Sequence, residues 1–168
     1  MSPVTPDNWG MKWSVCWKAE VFPAKKFLIL AAIAIMSLSC FADDNIVEIP
    51  FNKVPDLGQR VVTSYFTGNT VTKAVKYKSK DMKNRTCVTL DNGAAIEFDK
   101  EGNWMIVDCR QSEVPMRMVP GKIQMYLNNN HPGVSVVFMS REIKNGDITF
   151  LLKDGTELHF TNEHELIQ

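Results

Sequence analysis

Ile49-Pro50-Phe51-Asn52-Lys53-Val54-Pro55 returns as Val114-Pro115-Met116-Arg117-Met118-Val119-Pro120, with an apolar-proline pair at each end of both stretches and the same spacing inside them. A motif that returns at a period of about sixty residues marks a repeated supersecondary unit. Each second proline opens a helical stretch. Leu57, Val61, Tyr65 and Phe66 fall at helical spacing after Pro55, and Ile123, Tyr126 and Leu127 do so after Pro120. Both prolines stand where the first helical turn tolerates a missing N–H, and Gly68 and Gly133 follow as stop signals.

Beyond each helix the apolar period changes to two, the signature of a strand. Val71, Val75 and Tyr77 alternate with Thr72, Lys76 and Lys78, and Val134, Val136 and Phe138 share one parity in the second half. A hairpin follows in each half: Val88 to Gly93 leads to Ile96-Glu97-Phe98, and Phe150 to Gly155 leads to Leu158-His159-Phe160. For Val88 and Leu90 to share a face with Ile96 and Phe98, the loop must hold an odd number of residues. A three-residue loop, Asp91 to Gly93, with a left-handed glycine at a bulge, meets that condition, and Lys153 to Gly155 meets it again. A further strand runs from Trp104 to Asp108, and its counterpart around Glu165 to Ile167 is cut short. The expected fold is α+β: two tandem repeats, each of one helix plus about four antiparallel strands, over residues 43–110 and 111–168. A lone unit of roughly 60 residues buries too little surface, so the pair is expected to share a core.

The residues before this pattern have a different character. Lys25 and Lys26 precede an apolar run from Phe27 to Met36, then Ser37 to Ala42 and the acidic pair Asp43-Asp44. That order is a secretory signal, with cleavage expected after Ala42 and residues 1–42 as leader and signal peptide. The run is shorter than the about 20 residues a spanning helix needs, and no transmembrane segment is expected in the exported part. A lipid-anchored alternative makes Cys40 the first mature residue. The expected location is periplasmic or secreted.

Over 168 residues, 19 Lys and Arg balance 19 Asp and Glu, which gives no reason to expect a nucleic-acid partner. Cys87 and Cys109 are the cysteines that survive cleavage after Ala42. A three-strand meander puts a strand between them and about 14 Å of offset along it, whereas a disulfide needs Cα atoms within about 7 Å. They are expected to be unbridged.

No catalytic constellation is present: there is no Gly-x-Ser-x-Gly elbow, and neither exported cysteine neighbours a histidine. His131, His159 and His164 are scattered, and Gln168 stands where a zinc helix starting at His164 would need its second ligand, so no metal or cofactor is expected. Asp91-Asn92-Gly93 and Asp99-Lys100-Glu101-Gly102 are acidic turns without the ligand count of a calcium loop. The candidates are surface residues. Lys76, Lys78 and Lys80 share a parity and form a basic stripe that either docks an acidic partner or resists edge pairing. Val137 and Met139 oppose Val136 and Phe138, Leu151 opposes Phe150 and Leu152, and Trp104 and Ile106 oppose Met105 and Val107. Either that face is covered by another layer, or it is an apolar surface that binds a partner.

The paired Val-Pro segments, Leu-Asp-Asn-Gly (90–93), Ile-Glu-Phe-Asp (96–99) and Gly-Asn-Trp (102–104) resemble the PepSY-like proteins of Bacteroidetes, which are similar in fold to the beta-lactamase inhibitory protein. The likeness covers Ile46 to about Leu166. It implies tandem helix-plus-four-strand repeats in the periplasm and a role in binding or inhibiting other proteins. The second half lacks a match to Gly102-Asn103-Trp104, and no functional residue of the inhibitor has a counterpart here. The expected function is a non-catalytic module that grips an unidentified envelope protein with its sheet face, through Val137, Met139, Leu151, Trp104, Lys76 and Lys78; the alternative is a small-ligand or calcium-responsive envelope sensor.

Overall fold

The computed structural model describes residues 46–78 and 84–167. The leader, Cys40, the cleavage position after Ala42, and Lys80 and Lys83 lie outside the described residues.

Each proline pair brackets a 3-10 turn, Phe51–Lys53 and Met116–Met118, and each second proline immediately precedes a helix: α1 (Asp56–Tyr65) and α2 (Gly121–Asn130). The two starts are built alike. Gln59 Nε2 donates to the Val54 carbonyl at 2.7 Å, and Gln124 Nε2 donates to the Val119 carbonyl at 2.7 Å. Past the helices, Gly68 and Gly133 have φ of 94° and 77°, a conformation glycine adopts without a Cβ penalty.

Strands β1 (Ile46–Glu48), β2 (Val71–Tyr77), β3 (Thr86–Leu90), β4 (Ala95–Phe98), β5 (Trp104–Asp108), β6 (Val136–Arg141), β7 (Ile148–Leu152) and β8 (Glu157–Phe160) form one antiparallel sheet of eight strands in chain order. α1 is inserted between β1 and β2, and α2 between β5 and β6. The hairpin loops hold three residues each: Leu90 N–H donates to the Ala94 carbonyl and Leu152 N–H to the Thr156 carbonyl, around Gly93 at φ 80° and Gly155 at φ 89°. The strand expected near Glu165 to Ile167 is reduced to one bridge, Phe160 to Leu166.

Pairing register lines up Ala74, Val88, Ile96, Val107, Met139, Phe150 and Leu158 in one row across β2 to β8, all buried. Val62 and Phe66 of α1 and Ile123 and Leu127 of α2 belong to the same core as this row. Both helices therefore cover the same face of the sheet, and among the described residues no helix lies on its other face. Fully burying each large apolar side chain contributes about 1.5–3 kcal/mol, so this single layer is the main source of stability. The α1 face differs from expectation at Leu57, which is 39% exposed. Gly58 turns inward in its place because a Cβ there would come within 3.2 Å of the Phe98 ring, so this position must be small for α1 to lie against β4.

The expected strand parities are corrected at three register shifts: β-bulges at Val71/Lys73 in β2 and Val136/Phe138 in β6, and the shift at Glu97/Phe98 that aligns Trp104 with core residue Phe98 while Ile106 stays on the other face. An extra residue on one strand flips the facing of everything after it. Val71 packs against the core, but Ala74 then takes the core side, and Val75 and Tyr77 are buried outside the core cluster. In β6 the core side passes from Val136 to Met139, and Phe138 pairs with Leu151 on the other face.

Cys87 and Cys109 are buried and are not joined by a disulfide. β4 lies between them, and Cys87 aligns with Glu97 and Ile106, so Cys109 is displaced by three residues, about 10 Å along the sheet rather than 14 Å. Cys109 is in the core, whereas Cys87 alternates with core residues Val88 and Leu90 on their strand and so takes the helix-free face. Burial pushes the Cys109 thiol up to about 11.

Candidate functional site

The helix-free face follows from the register. One row reads Val75, Cys87, Glu97, Ile106, Ser140, Thr149, His159; the next reads Lys73, Thr89, Ala95, Asp108, Phe138, Leu151, Glu157. Toward β2–β4 this face is buried at Val75, Cys87 and Ala95. Over β5–β8 it is half-open, with Ile106, Phe138, Ser140, Thr149, Leu151 and His159 all partly exposed. Apolar side chains half in water, on a face that no helix covers among the described residues, are what a docking surface requires.

Polar groups frame this apolar patch. Arg110 clamps the buried Asp108 carboxylate through Nη2 at 2.6 Å and Nε at 3.1 Å, and that hydrogen bonding raises the Arg110 guanidinium. Thr149 Oγ1 lies 3.0 Å from His159 Nδ1, and His159 Nε2 lies 3.4 Å from Glu157. Glu97 Oε2 is buried with no hydrogen-bond partner among the described residues. Burial raises the Glu97 carboxyl, against the charge of Arg85 and a hydrogen bond from Tyr77.

The structure scatters the sequence candidates. Met139, at 0% exposure, is a core residue and cannot touch a partner; the bulge at Val136/Phe138 is the reason. Val137 is 7% exposed, and its carbonyl accepts from Cys109 N–H. Trp104 packs against the core with Arg141 stacked 4.1 Å over its ring. Lys76 is exposed but shares the parity of core residue Ala74, and Lys78 lies past the end of β2. Leu151 alone of the six is on the half-open patch. Phe138, Thr149, His159 and Glu97 were not singled out; the available signal was the run Val136-Val137-Phe138, too apolar for one regular half-buried strand.

The acidic turns use their oxygens internally. Asp99 Oδ1 accepts from the N–H groups of Glu101 and Asn103, and Oδ2 from the Asn103 side chain. Asp91 accepts from Asn69 and from Thr70 N–H, which lower its carboxyl. His164 sits in a turn at φ 66° rather than opening a helix. Among the described residues no three His, Cys, Asp or Glu side chains converge as a metal site, and no helix is long and apolar enough to cross a membrane.

The family model described as "Putative beta-lactamase-inhibitor-like, PepSY-like" matches residues 84–168. Among solved structures, a "putative calcium-regulated periplasmic protein" of Bacteroides thetaiotaomicron is 32% identical with a TM-score of 0.70, over 75% of this chain and 97% of that one. A "putative periplasmic protein" of the DUF2874 family from Bacteroides vulgatus is 30% identical with a TM-score of 0.67, over 74% and 96%. A further periplasmic protein of that organism, 24% identical with a TM-score of 0.66 over 73% and 97%, shares the fold. No curated protein matches the chain. With the family model covering half of its residues and a solved relative nearly a third identical, this chain belongs to the PepSY-like family.

Proposed function

We propose that this chain is an exported, non-catalytic periplasmic module that grips an envelope protein with the half-open, helix-free face over β5–β8. The observation that carries the reading is the apolar row of Phe138 and Leu151 beside Ile106, partly exposed opposite both helices. Export draws support from the Lys25-Lys26 and Phe27–Met36 order and from the periplasmic relatives. Two copies of one unit, 43–110 and 111–168, are supported by matching features: the 3-10 turn before each helix, the Gln59 and Gln124 bonds, the two bulges, and the two three-residue hairpins. The partner-binding residues proposed are Leu151, Phe138 and Ile106. A calcium-responsive role draws on the Bacteroides thetaiotaomicron relative's description, while the Asp91 and Asp99 oxygens here are already hydrogen-bonded.

Affinity capture from envelope extract tests the reading by comparison among three baits. Wild type and Met125→Arg, altered at a 65% exposed position on α2, are expected to retain the same protein, and Leu151→Arg to lose it. Equal capture by all three baits contradicts the assignment of the face.

A further inference from the structure

The charges around the patch are sorted along the sheet. Toward β2–β3 the helix-free face carries the cations Lys73 and Arg85. Toward β5–β8 the rim is acidic: Glu157 lies in the second row, and Glu142 and Asp147, joined by the Glu142 N–H to Asp147 carbonyl bond at 2.8 Å, continue the row of Ser140 and Thr149. Asp108 is neutralised by Arg110, but among the described residues no lysine or arginine forms a salt bridge with any of those three carboxylates. The nearest cation in contact is the His159 imidazole against Glu157, which is charged only when protonated.

From this arrangement we infer that the partner presents a cationic amphipathic segment, an apolar anchor for Ile106 and Leu151 flanked by Lys or Arg facing the acidic rim. The inference rests on the docking reading above and adds the chemistry of its occupant. Complementary charge around an apolar centre steers encounter and rejects partners of the wrong sign, because an acidic segment would bring like charges together as water is excluded. Lys76 and Lys78, whose stripe in the sequence either docks an acidic partner or resists edge pairing, are not on this patch.

Two synthetic peptides with one apolar sequence, Leu alternating with Lys in the first and with Glu in the second, separate the possibilities when titrated into the mature protein with its amide resonances followed by NMR. The cationic peptide is expected to bind at least about tenfold more tightly, to shift the Ile106 and Leu151 resonances, and to weaken severalfold as added salt shortens the screening length. The double variant Glu142→Gln/Glu157→Gln should lose most of that preference while keeping the wild-type fold in its spectrum. If both peptides shift the same face with equal affinity, the charge inference fails and the docking reading stands. If neither peptide shifts residues of this face, or the cationic one shifts only residues elsewhere, both are overturned.

Discussion

Glu97 places a carboxyl on the helix-free face between Cys87 and Ile106, with Oε2 buried and unpartnered among the described residues. Burial raises this carboxyl more than Arg85 and Tyr77 lower it. Between the ordinary glutamate value and the raised one, the folded chain holds more protons at this position than the unfolded chain, so this group's contribution to stability falls as pH rises through that window. Glu97→Gln keeps the shape and removes the buried charge. Its stability relative to wild type is expected to increase between about pH 4 and about pH 7.5, a range that starts near the ordinary glutamate value. Urea midpoints of both proteins at the two pH values check this, and an identical difference at both would contradict it. Taking the difference between the proteins cancels the exposed carboxylates Asp91, Glu113, Asp154 and Glu165, whose lowered values act in the opposite sense.

Strand β6 is where a single extra residue decides what is core and what is surface. With the bulge, Met139 pairs with Phe150 in the core and Phe138 pairs with Leu151 on the helix-free face. Met139→Ala is expected to cost about 2–5 kcal/mol as a cavity in a filled layer, whereas Leu151→Ala, at a half-exposed position, should cost about 1 kcal/mol or less. Denaturant unfolding of the two variants separates them; equal costs would mean that the strand runs without the bulge. The elements themselves were legible because their signals are local: proline before each helix, glycine after it, and an odd loop count imposed by Leu90 and Ile96. The site was less legible because it depends on facing, and facing depends on which residue the neighbouring strand leaves unpaired. Val136, Val137 and Phe138 are all apolar, so the run signals an irregular strand without marking which residue is left unpaired. Leu57 failed for a related reason: helical spacing cannot show that Gly58 must face Phe98.

One sheet in chain order, with both helices on one side, gives a filled layer on that side and, among the described residues, a face without a helix on the other. The halves are joined by the β5–β6 pairing, by the shared core row, and by Arg117 Nη2 donating to the Ser64 carbonyl at the end of α1. The β5–β8 platform is thus part of one continuous sheet, with Ile106 on the last strand before α2 and Leu151 two strands beyond it. Site-specific photo-crosslinking in living cells tests the claim that this platform docks an envelope protein. A photoreactive residue at position 151 or 106 is expected to give a covalent adduct with one envelope protein, and the same residue at position 125, on the exposed side of α2, to give none. An adduct formed from position 125 and absent from 151 and 106 would contradict the account.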